Sequence, residues 1–124
     1  MDYHNVMLID DDEDDREIFK NAIDHINKVS CTYFDSAGDA LKVLISGEIA
    51  PDVIFLDLNM PIMSGQQFLK AIKSIAGLNT IPVIIFSTSA NPKNIREVRE
   101  LGAHNYIVKP YTYGELIEIL KSVL

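Results

Sequence analysis

The sequence predicts an α/β fold in which a five-stranded parallel sheet is covered by helices on both faces. Three observations lead there. Five short apolar runs are each too short for a helix, five longer segments carry apolar residues at three- and four-residue spacing, and the two kinds alternate strictly. Strands separated in this way are joined by crossovers, and crossover-linked neighbours run parallel.

Val6-Met7-Leu8-Ile9 is the first run, continuous enough for a strand buried on both sides. Ile18, Phe19, Ala22, Ile23 and Ile26 then form one stripe of an amphipathic helix. The second strand is Cys31 to Phe34, followed by Ser36 as N-cap of a helix with Ala40, Leu41 and Leu44 inward. Pro51 punctuates the chain before the third strand, Val53 to Leu56. Asp57 to Gly65 contains Asn59, Pro61, Ser64 and Gly65 and reads as a loop. Phe68, Leu69, Ile72, Ile75 and Ala76 mark the third helix. Pro82 opens the fourth strand, Val83 to Phe86, and Ile95, Val98 and Leu101 give a helix stopped by Gly102. Tyr106 to Val108 is the fifth strand, broken by Lys109-Pro110. Thr112-Tyr113-Gly114-Glu115 has the pattern of a capping box, and Leu116, Ile119, Leu120 and Val123 stripe the last helix.

Composition narrows the function classes. A chain of 124 residues with 48% hydrophobic content suits one domain, residues 1–124, with its own core. Eleven basic against 18 acidic residues give a net charge of −7, so neither nucleic acid nor an anionic membrane finds a broad cationic surface. The N-terminus lacks a basic stretch followed by a long apolar region, and no apolar run approaches a membrane span. A cytoplasmic protein is the expectation. Cys31, the sole cysteine, excludes an internal disulfide and is expected as a small packing residue.

In an open parallel sheet, ligands bind beyond the carboxyl ends of the strands. Asp10 and Asp11 follow the first strand, Asp57 the third, Ser87 and Thr88 the fourth, and Lys109 the fifth. Three carboxylates, a hydroxyl and an ammonium are thereby expected on one edge. Crowded carboxylates repel, and a hard divalent cation such as Mg²⁺ relieves them through oxygen ligation. A carboxylate nucleophile beside such a cation and a lysine suits acyl phosphate formation.

Each residue alone has a plainer explanation. Asp12 to Asp15 are favoured by the dipole of the helix they begin, Asp57 suits a turn, and Lys109 suits a surface. Their joint placement carries the argument. Asp10, Asp12 and Asp14 match the first ligands of an EF-hand loop, but Asp15 replaces its glycine and Asn21 its closing glutamate. No glycine-rich phosphate loop follows the first strand, which disfavours a nucleotide-binding domain. A haloacid-dehalogenase-like aspartyl-phosphate phosphohydrolase would want an acid two positions after Asp57, where Asn59 stands.

Val6 to Asp11, Asp52 to Pro61 with Met63 and Gly65, Pro82 to Ser87, Gly102-Ala103, and Tyr106 to Pro110 together resemble the response-regulator receiver domains, the CheY-like group, in single-domain form. The resemblance covers nearly the whole chain. It implies a doubly wound, flavodoxin-like sheet of order 2-1-3-4-5 with five helices. It implies Asp57 as phosphoacceptor, with Asp10, Asp11, Asp57 and the Asn59 backbone carbonyl holding Mg²⁺; Asp12 is an alternative to Asp10. Ser87 and Lys109 then assist the phosphoryl group, Ser87 and Tyr106 act as switch residues, and the Lys109–Pro110 bond is cis. Thr88, Ser89 and Tyr111 depart mildly from the family pattern or lie at its variable positions.

The implied role is a signalling switch in a two-component or phosphorelay system, assisting its own phosphorylation and dephosphorylation, and not an enzyme in trade. The implied donor is a sensor histidine kinase or a histidine phosphotransfer protein, with Asp14, Asp15 and Ile18 as candidates to face it. With no output domain after Leu124, the signal is expected to leave through contact with a separate protein effector, from a monomer or a phosphorylation-dependent dimer. The alternative is a receiver-like structural interaction module that is never phosphorylated.

Overall fold

The structure is a computed structural model that describes residues 3–26 and 28–124. Five strands, β1 (Asn5–Ile9), β2 (Ser30–Phe34), β3 (Val53–Leu56), β4 (Val83–Ser87) and β5 (Asn105–Val108), form one sheet. They alternate with five helices, α1 (Glu13–Ile23), α2 (Ala37–Ser46), α3 (Gly65–Lys73), α4 (Pro92–Glu100) and α5 (Tyr113–Val123). Every adjacent strand pair is parallel, and the order is β2-β1-β3-β4-β5. The expected fold is the observed one.

The central strands are apolar at every position because both of their faces are covered. Met7, Ile9, Ile54, Leu56, Val83 and Ile85 point to one face and pack with Ala40 and Leu44 of α2, Phe68, Leu69 and Ile72 of α3, and Val98 of α4. Val6, Leu8, Val53, Phe55, Ile84 and Phe86 point to the other and meet Phe19 and Ala22 of α1 with Leu116 and Leu120 of α5. Phe19, Phe55 and Phe86 pack edge to face there, with centroids 5.2 to 6.2 Å apart. β2 and β5 lie at the edges, so their residues are only partly covered.

Local signals fix the helix ends. Asp12, Ser36, Ser64, Asn91 and Thr112 each cap a helix by accepting a backbone N–H two or three residues on. The full capping box belongs to Ser64 and Gln67 at α3; Thr112 makes only the half in which its hydroxyl accepts from Glu115 N. Gly102, at φ 103°, ends α4 in the left-handed region that a side chain would disfavour. Ile18 departs from its expected stripe and is 46% exposed, because the buried face of α1 centres on Phe19, Ala22 and Ile23. Ile75 and Ala76 fall beyond α3, in the turns that follow Lys73. Among the described residues no peptide bond is cis, so the Lys109–Pro110 bond is trans, the isomer that X–Pro bonds favour by about 0.5–1 kcal/mol.

Gly65 has a packing reason. A Cβ there would lie 2.7 Å from Leu58 Cα and overlap the Asp57 carbonyl, while Gly65 N donates to Leu58 O at 3.0 Å. The start of α3 is thus pressed against the backbone that carries Asp57. Gly65→Ala is expected to lower stability by about 2 kcal/mol through overpacking, read as a lower urea midpoint. An unchanged midpoint would contradict this close approach.

Candidate functional site

The strand order reverses between β1 and β3, whose following helices, α1 and α3, leave towards opposite faces. A crevice at the carboxyl ends of such strands is where this architecture places its ligands. The sheet ladder runs one residue past the strands and seats the backbone of the site. Asp10 N donates to Phe34 O at 3.0 Å, Asp57 N to Ile9 O at 3.0 Å, and Lys109 N to Ser87 O at 2.8 Å. Three residues far apart in sequence are therefore held by the same hydrogen-bond pattern that builds the sheet.

Asp10, Asp11 and Asp57 each bring a carboxylate oxygen to within 4.8 Å of the others. Asp10 and Asp57 are buried and Asp11 is exposed. Lys109, its side chain 10% exposed, donates to Asp10 Oδ2 at 2.8 Å and to Asp15 Oδ2 at 2.7 Å, and stands 3.9 Å from Asp57 Oδ2. Its ammonium also lies 5.7 Å from the Phe86 ring centroid. The remaining Asp10 oxygen accepts from Asp12 N at 3.0 Å, and Arg16 Nη1 donates to the Asp10 carbonyl at 2.9 Å. Asp12 is not part of the cluster; its carboxylate caps α1 by accepting from Asp15 N. Of the two alternatives, Asp10 is the one that lies in the cluster.

Burial raises the pKa of the Asp57 carboxyl to about 6; Lys109 opposes this, and the charges of Asp10 and Asp11 add to it. Burial also raises Asp10, with the hydrogen bonds from Lys109 and Asp12 N pulling the other way. Burial acts to lower Lys109, but hydrogen bonds to Asp10 and Asp15 outweigh it and leave the ammonium above its ordinary value. At a separation of 4.8 Å, two carboxylates repel by about 3 kcal/mol at an effective dielectric of about 20.

These residues fit a divalent cation. Three carboxylates against one ammonium leave a local charge of −2, and the donors are all hard oxygens. Oxygens on opposite sides of one Mg²⁺ stand roughly 4.2 Å apart, close to the 4.8 Å span. Asn59 is exposed two residues after Asp57, where its carbonyl belongs to the loop on the same edge. In that loop Ile62 is exposed and held at φ 66°, an uncommon conformation for a β-branched residue.

Ser87 is fully buried at the end of β4, and its Oγ accepts from Ser89 N at 3.2 Å. Tyr106, partly buried against the core, donates its hydroxyl to the Ser89 carbonyl at 2.7 Å. Ser89 Oγ accepts from Asn91 N at 3.3 Å and from Asn94 Nδ2 at 3.0 Å. Ser87 and Tyr106 therefore meet through Ser89, which the family resemblance places only at a variable position. Thr88 is exposed. Cys31 lies in β2 away from the cluster, with its thiol pushed up to about 12 by burial, as befits an unreactive packing residue. Asp15 is the residue that sequence reasoning misread. The dipole of α1 accounts for an acid there, yet its carboxylate also reaches Lys109, 94 positions away.

The family model for the response regulator receiver domain matches residues 6–121. The chain belongs to this family. Among curated relatives, the receiver is 30% identical to the chemotaxis protein CheY of Pseudomonas aeruginosa over 95% of this chain and 94% of that one. It is 31% identical to the chemotaxis protein CheY-3 of Vibrio cholerae, over 95% of this chain and 89% of the relative. Among solved structures, the phosphorylated cyanobacterial phytochrome response regulator RcpA superposes with a TM-score of 0.90 at 27% identity, covering 98% of this receiver and 91% of that chain. This is a receiver domain of a two-component response regulator, a class of signalling switch. Such domains interact with histidine kinases or phosphotransfer proteins and bind Mg²⁺ at an acidic pocket. Among the described residues no helix is long and apolar enough to cross a membrane.

The raised Asp57 pKa has a consequence for stability. Between the unfolded value of about 3.9 and the folded value of about 6, the native receiver binds the extra proton, so ionisation costs stability above that range. In EDTA, Asp57→Asn is expected to stabilise the domain at neutral pH by about 1 kcal/mol, after allowance for solvent screening at the open mouth. The gain should shrink as pH falls through about 6 and vanish near about 4. Urea unfolding across this range checks it, and a pH-independent gain would contradict the assignment.

Proposed function

We propose that Asp57 accepts a phosphoryl group from a phosphohistidine on a sensor histidine kinase or a phosphotransfer protein, in a Mg²⁺-dependent reaction. The observation that carries this reading is the gathering of Asp10, Asp11 and Lys109 around the buried Asp57 carboxylate at the switch point of the sheet. The raised pKa of about 6 still leaves Asp57 mostly ionised near neutrality, as a nucleophile must be. An Asp57 oxygen attacks phosphorus, the P–N bond to the donor imidazole breaks, and the imidazole leaves with a proton. The product is an acyl phosphate. Hydrolysis by water at phosphorus regenerates the carboxylate and releases inorganic phosphate.

Asp10, Asp11 and Asp57, with the Asn59 carbonyl, would hold Mg²⁺, which when bound supplies charge neutralisation for the phosphoryl oxygens. Lys109 supplies a second positive charge on the opposite strand tip. The Ser87 hydroxyl has a donor proton to offer a phosphoryl oxygen while its lone pair takes Ser89 N–H. Such a demand on Ser87 reaches Tyr106 through Ser89, whose carbonyl holds the Tyr106 hydroxyl. The output surface on this reading is α4, β5 and α5, presented to a separate protein partner. A phosphohydrolase whose main business is turnover is disfavoured by Asn59, which offers no acid at the position such enzymes use.

Incubation with phosphoramidate or acetyl phosphate in Mg²⁺ is expected to add one phosphoryl group to the wild type and none to Asp57→Ala, read by intact mass. EDTA should slow modification by about a hundredfold or more, the scale of several kcal/mol of charge stabilisation. An unmodified wild type would favour a structural interaction module. Phosphorylation is also expected to change amide exchange between Asn91 and Val108; identical profiles with and without the phosphoryl group would remove the switch.

A further inference from the structure

Lys109 has three ammonium protons, and two of them are committed to carboxylates at 2.7 and 2.8 Å. The Asp57 oxygen at 3.9 Å lies beyond hydrogen-bond reach. The shorter of the two bonds goes to Asp15, whose side chain is about one-third exposed in the first turn of α1. Asp15 is itself fixed, because its backbone N–H donates to the capping carboxylate of Asp12 at 3.1 Å. At the other end, Lys109 N is pinned to Ser87 O at 2.8 Å, so only the flexible side chain can choose between partners.

We propose that Asp15 is a positioning residue that holds the Lys109 ammonium towards α1 while Asp57 is unmodified, so that phosphorylation exchanges the Asp15–Lys109 pair for a Lys109–phosphoryl pair. The inference rests on Asp57 being the phosphoacceptor. It makes Asp15 a brake: the carboxylate stabilises the unmodified state and competes with the phosphoryl oxygens for the same cation. A merely dipolar role for Asp15 would be shared by Glu13, an exposed acid in the same turn of α1.

The test compares Asp15→Asn, Asp15→Glu and Glu13→Gln with the wild type, using phosphoramidate as donor in Mg²⁺. Asp15→Asn is expected to be modified about threefold faster than both the wild type and Glu13→Gln, the scale of a part-exposed ion pair. Asp15→Glu should return towards the wild-type rate. Rates for Asp15→Asn and Glu13→Gln within about 1.5-fold of each other, or a slower Asp15→Asn, overturn the inference. A second readout needs no phosphoryl chemistry. The Lys109 ammonium protons, followed by ¹H–¹⁵N correlation at low temperature, should lose exchange protection in Asp15→Asn and keep it in Glu13→Gln. Unchanged protection overturns the inference on its own. A wild type that phosphoramidate leaves unmodified, with the protection difference intact, overturns the phosphoacceptor role and this inference with it.

Discussion

One ammonium ion answers for the buried charge at the tip of this sheet. Asp10 and Asp57 lie almost wholly out of solvent, where an unpaired carboxylate is costly, and Lys109 is the cation that bonds to Asp10 at 2.8 Å and stands 3.9 Å from Asp57. The pairing is incomplete. With Asp11 at the mouth, negative charge exceeds positive, and the excess appears as raised carboxyl pKa values. A site so poised gains from any ligand that brings positive charge, and a cation gathered there in turn favours an incoming phosphoryl group.

The hydrophobic structure exists to hold that imbalance in place. β1, β3 and β4 are covered on both faces, and their ladders extend to the amides of Asp10, Asp57 and Lys109. Moving any one of these backbones would break a buried sheet hydrogen bond. Gly65 adds a second constraint by letting α3 start directly against the Asp57 carbonyl. Rigid backbone and side-chain chemistry are thereby separated: the strands fix where the charges stand, while on the proposed reading Lys109, Ser87 and Tyr106 would exchange partners. The Ser87–Ser89–Tyr106 chain of hydrogen bonds links the end of β4 to β5 and, on that reading, would carry such an exchange away from the pocket.

Much of this was legible in the residues. Runs such as Val6 to Ile9 and Val83 to Phe86 are apolar without alternation because both faces are buried, so their composition reported their place in the sheet. Asp10, Asp11, Asp57 and Lys109 were legible because strand ends mark the binding edge and each follows such a run directly. Ile18 misled because it sits beside the buried stripe of α1 without belonging to it. The cap at Ser64 was hidden by neighbouring Pro61 and Gly65, which read as loop. The cis bond implied by resemblance at Lys109–Pro110 is absent, and no signal in the residues themselves distinguishes the isomers.

Sequence by itself determined the alternation of strands and helices, hence the parallel sheet, and the set of acids and one lysine at its carboxyl edge. These follow from periodicity and chain order, which are local properties. The partners of each charge were decided only in three dimensions. Asp15 and Lys109 are 94 residues apart, and nothing in either segment announces their contact. It arises because α1 and α5 pack on the same face and the Lys109 side chain reaches from the end of β5 to the first turn of α1. Ser89 likewise joins Ser87 to Tyr106 only because β4 and β5 are neighbours in register. Side-chain pairing depends on distances of a few ångströms between elements, and those are set by packing.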